Sequence, residues 1–567
     1  MKIGVDFDNT IVCYDPIFEA MIRERGIPRE EGSAKSRLRN FLRKTPGGEV
    51  EWTRIQGEVY GRRIMEARPF EGALEFFRFL FERNIPVCVV SHKTRYPVLG
   101  TPCDLHNWAF RWLEHFGLFS DPHIALKREE CFFELTKKAK LCRIASEGCT
   151  HFIDDLPEFL EEPSFPGEAK RILFVPSESI RTSSVWIHAR SWNEVIRQTE
   201  RDCQSDIRDV QALPRVISAG AAPEGNDDEK KFASLLKKNT GRELAAMERV
   251  WGGANNRGFS LRTVDGKKYF GKIYYRSPFD SRDRLGVEYG FLSFAALKGI
   301  ESCPRPIGMD EGEGAAIYEF IDGKLPEPGQ ILESHWKQCF DFLLSLQSHR
   351  HAVEARKLPR GSETAFCLND HLSFLRQRRD DWLLLVQEKG AHDNLRRLVL
   401  EDFEPAYQQI AEETIGTAGF QTEIPEEARI LSPSDFGMHN ALLKKDGKLV
   451  FIDFEYAGWD DPAKTVADFF CQPKMPAPAP LKEKLVRALD SVLSGPHRAA
   501  FHDRLPIVER CIGLKWCYIL LNDFHPRFSG RRQFSKGAAA PGEIPPDRLA
   551  KIRGRLAAIK AAGGSEI

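Results

Sequence analysis

Short apolar runs alternate with amphipathic helical stretches between Lys2 and about Arg190, and this alternation constrains the fold more than any other feature of the sequence. The apolar runs are Ile3–Val5, Val87–Val90, Phe152–Ile153 and Ile172–Val175, and helical patterns such as Glu71–Arg83 separate them. Strands that alternate with helices are typical of a parallel sheet covered by helices. We therefore predict an α/β fold with a parallel sheet for the N-terminal part of the chain.

The chain of 567 residues is too long for a single hydrophobic core, because domains usually hold about 150 residues. A polar, Arg-rich and mostly helical insertion over about 14–66 is predicted to cap the strand ends. The small, polar and charged segment Ala219–Lys231 is the best linker candidate. After it, a β-rich lobe with one helix precedes a mainly helical lobe, which predicts a two-lobed α+β domain. The predicted division is 1–200 for the first domain, 201–240 for the linker region, 241–530 for the second domain and 531–567 for the C-terminal tail.

Charge and composition exclude several classes of partner. Lys plus Arg and Asp plus Glu both total 82, so no overall field attracts nucleic acid or an anionic membrane. The sequence has no apolar run of about 18 residues and no export signal. Its 13 cysteines lack metal-binding spacing. We expect a cytoplasmic protein that binds neither nucleic acid nor membrane, and the sequence leaves a homo-oligomer open.

Two carboxylates, Asp6 and Asp8, directly follow the first apolar run in the segment Asp6-Phe7-Asp8-Asn9-Thr10. With the period of two of an extended chain, Asp6 and Asp8 lie on one side, at the sheet edge where α/β proteins bind ligands. One carboxylate can attack phosphorus while the other transfers protons, which predicts Asp6 as nucleophile and Asp8 as acid/base. Two anions beside a phosphate require a hard cation, and Mg²⁺ is the usual one.

Further polar groups follow the next strands. Asp154 and Asp155 come directly after His151–Ile153, and Ser91 ends Val87–Val90. Lys137 or Lys138 opens the helix before Asp154, and Lys140 is a third candidate.

The order of these motifs resembles the haloacid dehalogenase-like phosphatase superfamily over about 190 residues. The resemblance implies a Rossmann-like domain with a helical cap, in which Asp6 is the nucleophile and Asp8 the acid/base. The phosphate binders are then Thr10, Ser91 and Lys137 or Lys138. The Mg²⁺ ligands are Asp6, the backbone carbonyl of Asp8, and Asp154 or Asp155.

A second set of motifs begins at a glycine-rich hairpin, Gly252–Gly258, whose backbone amides around Gly253 and Asn256 can approach phosphate oxygens. Lys272 follows in the second strand, where a lysine can reach the α and β phosphates of ATP. Glu288, on a predicted helix, is its candidate partner. A strand that ends at Glu319 is a candidate hinge for binding adenine.

The order Asp435, Asn440, Asp453 is typical of kinase sites, in which the first Asp receives the acceptor hydroxyl and the other two residues hold Mg²⁺. From about Arg242 to Phe524 the chain resembles the aminoglycoside phosphotransferase and choline kinase family. The resemblance implies a protein-kinase-like fold, ATP, Mg²⁺ and a small-molecule hydroxyl acceptor. Where that family carries His-Gly before the catalytic Asp, this chain has Pro433-Ser434, which leaves the acceptor side open.

The sequence thus predicts a bifunctional enzyme. One site would hydrolyse a small-molecule phosphate ester, and the other would phosphorylate a hydroxyl of a sugar or an amino-alcohol. Two alternatives remain: a phosphatase fused to a non-catalytic, nucleotide-sensing kinase-like domain, or an antibiotic-modifying phosphotransferase.

Overall fold

The computed structural model describes residues 1–27, 32–124, 126–176, 183–205, 227–250, 256–276, 282–387, 393–526 and 544–563. The chain divides into two compact units, Met1–Ala219 and Gly220–Ile567. The predicted boundaries at 200, 240 and 530 remain predictions.

The N-terminal unit is built on a six-stranded sheet. The strands of this unit are β1 (Ile3–Val5), β2 (Val12–Cys13), β3 (Arg68–Pro69), β4 (Val87–His92), β5 (Cys131–Glu134), β6 (His151–Asp154), β7 (Lys170–Phe174) and β8 (Ile187–Ala189). Its helices are α1 (Asp15–Glu24), α2 (Ala34–Arg43), α3 (Gly48–Val59), α4 (Ala73–Glu82), α5 (Leu105–His115), α6 (Lys137–Ser146), α7 (Pro157–Leu160) and α8 (Trp192–Ser205). The sheet order is β5-β4-β1-β6-β7-β8, and every pair is parallel. The predicted parallel sheet is therefore present, with β5 and β8 in addition to the predicted strands.

The central strands are apolar on both faces. In β4, Val87 and Val89 pack into one core cluster, and Cys88 and Val90 pack into the other. Residue 4, in the central strand β1, is a glycine because a Cβ atom there would lie 2.6 Å from the Phe152 ring. Helices on both faces leave the carboxyl edge of the sheet as the place for polar groups.

The insertion after β1 is helical, as predicted for 14–66. It consists of α1, α2, α3 and a 3₁₀ turn at Arg62–Glu66. Strands β2 and β3 pair antiparallel, with Val12 opposite Pro69, and so hold the two ends of the insertion together.

The C-terminal unit begins with a β-rich part and continues with helices. Its strands are β9 (Leu244–Val250), β10 (Arg257–Thr263), β11 (Lys268–Ile273), β12 (Pro306–Asp310), β13 (Ala315–Glu319), β14 (Gly323–Lys324), β15 (Ile430–Ser432), β16 (Ala441–Lys444), β17 (Leu449–Phe451) and β18 (Gly458–Asp460). Its helices are α9 (Asp227–Thr240), α10 (Arg284–Leu297), α11 (Glu333–Ser348), α12 (Leu368–Gln387), α13 (Asp393–Arg397), α14 (Glu404–Gly416), α15 (Pro462–Cys471), α16 (Leu481–Asp490), α17 (Gly495–Leu521) and α18 (Pro546–Ala561). A five-stranded antiparallel sheet has the order β12-β13-β11-β10-β9. The predicted α+β arrangement, an antiparallel sheet followed mainly by helices, is thus present in this unit.

Residues 227–240, which the sequence placed in the linker region, form helix α9. Phe232, Leu235 and Leu236 have helical spacing and are buried with Phe259 and Leu261 of the sheet. The charged residues around them had suggested a linker, but this apolar stripe makes α9 part of the C-terminal core.

The C-terminal segment of the chain contributes a helix to this unit. Helix α18 lies in the predicted tail 531–567, and its Ile552 and Leu556 are buried. Arg555 donates to the Cys471 carbonyl at 2.6 Å. No helix among the described residues is long and apolar enough to cross a membrane.

Candidate functional site

Three neighbouring parallel strands bring the N-terminal candidate residues to one sheet edge. Asp6 follows β1, Ser91 lies in β4 and Asp154 ends β6. The Asp6 amide donates to the Ile153 carbonyl at 2.9 Å, so the ladder continues to the first carboxylate. All three residues are buried.

A buried lysine joins two of these carboxylates. Lys140 Nζ lies 2.6 Å from Asp6 Oδ1 and 2.6 Å from Asp154 Oδ2. Burial alone would lower the pKa of Lys140, but Asp154 and Asp6 outweigh it and raise the pKa above its ordinary value. The Lys140 ammonium therefore stays charged between the two aspartates.

The structure places Lys140 at this position, and not Lys137 or Lys138. Thr136 caps α6, and the first two lysines stand exposed on the opening turn. Lys140, Leu141 and Ile144 form the buried face of the helix. The phase of the helix therefore turns only the third lysine toward the sheet.

A group of three carboxylates fits a divalent cation. Ligand atoms of Asp6, Asp154 and Asp155 lie within 4.8 Å of one another. Burial and the neighbouring Asp154 together raise the pKa of Asp6 to about 7 against the attraction of Lys140. Burial, Asp154 and Asp6 also raise the pKa of Asp155 well above its usual range. This mutual repulsion, together with an all-oxygen donor set, suits Mg²⁺.

Asp8 is held by two groups that the sequence motifs did not single out. Lys93 Nζ lies 2.8 Å from each carboxylate oxygen of Asp8, and the Tyr14 hydroxyl donates to Oδ1. Thr10 is fully buried, and no described residue hydrogen-bonds to its hydroxyl. Lys93 comes two residues after Ser91, and a period-two count from Ser91 would have placed it on the same side of the chain.

In the C-terminal unit, Lys272 makes the predicted pair with Glu288. Lys272 Nζ lies 2.6 Å from Glu288 Oε2 and 2.6 Å from Asp453 Oδ1. Burial would lower the pKa of Lys272, but Asp453 and Glu288 hold it well above its usual value. The Tyr274 hydroxyl donates to the same Glu288 oxygen at 2.8 Å and fixes its orientation.

The loop after β15 positions Asp435. His439 Nε2 lies 2.9 Å from Asp435 Oδ1, and the Asn440 side-chain amide donates to the Asp435 carbonyl at 2.7 Å. The Ile452 amide donates to the Asn440 carbonyl at 2.9 Å, which ties the loop to the segment that leads into Asp453. His439 lies four residues from Asp435, and the sequence motifs did not single it out.

Two residues of this site, Ser434 and Asp453, have a left-handed backbone conformation. Ser434, next to Asp435, has φ +62°, and Asp453 has φ +69°. Non-glycine residues rarely adopt this conformation, and it concentrates at functional sites. The Pro433-Ser434 departure therefore coincides with an unusual turn that presents Asp435.

The remaining residues predicted to bind the nucleotide are Asn256, Glu319 and Gly253. Asn256 is buried, and its amide donates to Glu455, two residues after Asp453. Glu319 ends β13 at the surface, where it pairs with Arg305 at 3.2 Å. Gly253 lies outside the described residues.

The acidic residues after Asp453 anchor helix α15. Asp461 accepts from the Ala463 amide at 2.9 Å and so caps the helix. Lys464 pairs with Asp460, and Lys515 Nζ lies 2.6 Å from Asp468 Oδ1. These buried pairs hold the helical part beneath the Asp435 loop, and Thr465 bonds to Ser432 at 2.9 Å just before that loop.

Comparisons with known proteins concern the C-terminal unit. Residues 246–502 match the phosphotransferase enzyme family. No curated protein matches the chain.

Several solved structures are similar to the chain. A choline/ethanolamine kinase family protein from Mesorhizobium loti is 19% identical with a TM-score of 0.37, covering 60% of this chain and 95% of its own. A choline kinase from Cryptosporidium parvum is 15% identical with a TM-score of 0.38, covering 59% and 97%. A spectinomycin phosphotransferase is 13% identical with a TM-score of 0.39, covering 58% and 98%. The family match covers residues 246–502, less than half of the chain, and the N-terminal unit lies outside it.

Proposed function

We propose that the C-terminal unit transfers the γ-phosphoryl group of ATP to a hydroxyl group of a sugar or an amino-alcohol. The contact that carries this proposal is Lys272, which binds both Glu288 and Asp453 at 2.6 Å. A charged lysine at this place suits the α and β phosphates of ATP. The family match over 246–502 supports phosphotransfer as the reaction class.

In this reaction the acceptor hydroxyl gives its proton to Asp435, and its oxygen attacks the γ-phosphorus. The bond from the γ-phosphorus to the bridging oxygen breaks, and ADP leaves with that oxygen. His439 orients the Asp435 carboxylate through their 2.9 Å contact. The Lys272 ammonium binds the phosphates that stay on ADP.

The N-terminal unit, in the same proposal, hydrolyses phosphate monoesters. The arrangement that carries it is Asp6 beside Lys140, with Asp8 two residues along the chain. The Asp6 carboxylate attacks phosphorus, the ester P–O bond breaks, and Asp8 gives a proton to the leaving oxygen. Water then gives a proton to Asp8 and attacks the aspartyl phosphate, so that inorganic phosphate leaves and Asp6 is restored.

Both sites offer oxygen ligands for Mg²⁺. Asp6, Asp154 and Asp155 would hold it in the N-terminal unit, with the Asp8 carbonyl as predicted, and Asn440 and Asp453 would hold it in the C-terminal unit. When bound, Mg²⁺ offsets the negative charge of the phosphate oxygens. Thr10, Ser91 and Lys140 then surround the remaining phosphate oxygens.

The test compares the wild type with Asp6→Asn and Asp435→Asn. Phosphate release and ATP consumption are measured with Mg²⁺ on sugars, amino-alcohols, aminoglycosides and their phosphates. We expect each variant to lose only its own activity, by at least about 100-fold, because it lacks the reacting carboxylate. Asp341→Asn, on the exposed face of α11, is the matched control. If Asp435→Asn consumes ATP with an acceptor as fast as the wild type, the proposed kinase function is refuted.

A further inference from the structure

Two lysines stand beside the N-terminal site in addition to Lys140. Lys93 is 4% exposed, and its Nζ binds both oxygens of Asp8 at 2.8 Å. The same ammonium lies 5.4 Å from the centre of the Phe7 ring and 5.2 Å from that of Tyr60. An ammonium that is buried at this depth requires anionic partners.

The second lysine comes from the helical insertion. Lys35 lies in the first turn of α2, and its Nζ lies 5.6 Å from the centre of the Tyr60 ring. Burial alone would lower the pKa of Lys35, but Tyr60, Asp155 and Asp8 outweigh it and raise the pKa. Lys35 therefore interacts electrostatically with two carboxylates of the site, and the ammonium groups of Lys35 and Lys93 lie 5.6 and 5.2 Å from the centre of the same Tyr60 ring.

The lysines beside the site differ in their partners. Lys140 is shared by Asp6 and Asp154, and Lys93 is paired with Asp8. Among the described residues Lys35 forms no ion pair with a carboxylate, and its hydrogen-bond partner is the Tyr60 hydroxyl. A substrate with one phosphate group and a neutral remainder leaves Lys35 without an anionic ligand.

The contact between Lys93 and Asp8 also bears on turnover. Lys93 occupies both carboxylate oxygens of Asp8, so a leaving-group oxygen that approaches Asp8 must displace this contact. An anionic group on the substrate would compete with Asp8 for Lys93. Binding such a group would therefore free the acid/base as well as position the substrate.

We infer that the phosphate ester bound at Asp6 carries a second anionic group, a carboxylate or a second phosphate, which Lys35 and Lys93 bind through charge-assisted hydrogen bonds. This inference rests on the proposed phosphatase function of the N-terminal unit. Lys35 and Lys93 are then specificity-determining residues, one from the insertion and one from the sheet edge. Esters with a neutral or cationic remainder should be poor substrates.

A matched substrate series tests the inference on the full chain with Mg²⁺ and without ATP. The four esters are propyl phosphate, 3-aminopropyl phosphate, 3-(phosphonooxy)propanoate and propane-1,3-diyl bisphosphate, which differ only in the group at the far carbon. We expect kcat/KM at least about tenfold higher for one or both of the esters with an anionic remainder than for propyl phosphate, which corresponds to about 1.4 kcal/mol. The better of the two anionic esters identifies the group as carboxylate or phosphate.

Variants assign the effect to the lysines. Lys35→Met should lower the ratio of kcat/KM for the anionic ester over propyl phosphate toward one, mainly through KM, and Lys35→Arg should restore most of it. Lys44→Met, at the exposed far end of the same helix, is the matched control. Equal or faster turnover of the neutral or cationic ester, or an unchanged ratio in Lys35→Met, would overturn the inference.

Calorimetric binding to Asp6→Asn separates this inference from the phosphatase proposal. If no ester is hydrolysed but the anionic esters bind this variant at least about tenfold more tightly than propyl phosphate, anion recognition stands and the phosphatase proposal fails. If the esters are hydrolysed and bound without such a preference, the phosphatase proposal stands and the second anionic group is refuted.

Discussion

Lys140 shows how much of the N-terminal site depends on a single residue. It binds carboxylates that lie 134 and 14 residues away in the chain, both at 2.6 Å. Sequence order alone does not distinguish it from Lys137 and Lys138, because the three lysines share one helical turn. Only the phase of α6 against the sheet, set by the buried Leu141 and Ile144, makes the choice.

Replacing Lys140 with Met should lower phosphate release at least about 100-fold, because the phosphate loses a fixed cation and Asp6 and Asp154 lose their partner. Lys137→Met and Lys138→Met, both exposed, should stay within about twofold of the wild type. Initial rates on a single phosphate ester measure this, and circular dichroism establishes that each variant is folded, since removal of one member of a buried pair costs about 3–5 kcal/mol. A large loss in Lys137→Met with none in Lys140→Met would contradict the placement.

Asp380 is a second residue whose neighbourhood makes a measurable prediction. Arg379 binds Glu404 at 2.8 and 2.6 Å and Asp380 at 3.0 Å, so two buried carboxylates share one guanidinium. Burial, with a smaller contribution from Glu404, raises the pKa of Asp380 to about 7 against the attraction of Arg379. The folded state therefore keeps a proton on Asp380 that the unfolded chain releases near pH 4.

The folded state binds one more proton on Asp380 than the unfolded state does. The contribution of Asp380 therefore lowers the free energy of unfolding as the pH rises from about 4 to about 7, and this contribution is constant above that range. Asp380→Asn should thus gain stability over the wild type progressively across this window, by at most about 4 kcal/mol at pH 8. Calorimetric melting of both proteins between pH 5 and pH 8 measures the difference. Asp341→Asn should show no such trend, and a constant difference for Asp380→Asn would contradict the raised pKa.

At the scale of elements, helix α9, which lies in the predicted linker region, packs into the core of the C-terminal unit. Phe232 is fully buried, and its ring lies 5.4 Å from that of Phe259. Phe232→Ala should destabilise this unit by about 3–5 kcal/mol, because it leaves a cavity in the sheet's core. Val264→Ala, at a site 71% exposed in the same part of the unit, should change stability by less than about 0.5 kcal/mol. Denaturant titration measures both, and equal effects would mean that α9 does not belong to this core.

The sequence predicts the elements whose patterns are strong and misses those whose patterns are mixed. Ile3–Val5 and Val87–Val90 are apolar without interruption, and both are strands of the sheet. Strand β8, Ile187–Ala189, is interrupted by His188, so it contains no apolar run that would predict a strand.

The same limit applies to the candidate sites. Strand-end motifs bring Asp6 and Asp154 to one edge because parallel strands end on the same side. Local patterns do not reveal that Lys93 binds Asp8 or that Asn256 binds Glu455, 199 residues away. Such contacts join residues that are far apart in the chain, and the local sequence pattern does not predict which of these residues meet.

At the scale of the whole molecule, the chain has two proposed phosphoryl-transfer sites, and the phosphatase site should not hydrolyse the product of the kinase site. If the N-terminal unit removed the phosphate that the C-terminal unit adds, each cycle would consume ATP and leave the acceptor unchanged. We therefore expect the two units to act on different positions or different substrates. The inferred preference of the N-terminal site for a second anionic group fits this separation, because an amino-alcohol or sugar that is phosphorylated once carries a single anionic group.

Product survival tests this separation. With ATP, Mg²⁺ and an acceptor identified by the substrate screen, the phosphorylated product should accumulate to the same level with the wild type and with Asp6→Asn. Phosphorus NMR follows product, ADP and inorganic phosphate in one sample. The expected result is one ADP for each product molecule in both proteins, since the singly phosphorylated acceptor offers nothing for Lys35 and Lys93 to bind. Should the wild type make ADP and inorganic phosphate in step while only Asp6→Asn accumulates product, the two sites would share a substrate, and the N-terminal site would accept an ester without a second anionic group.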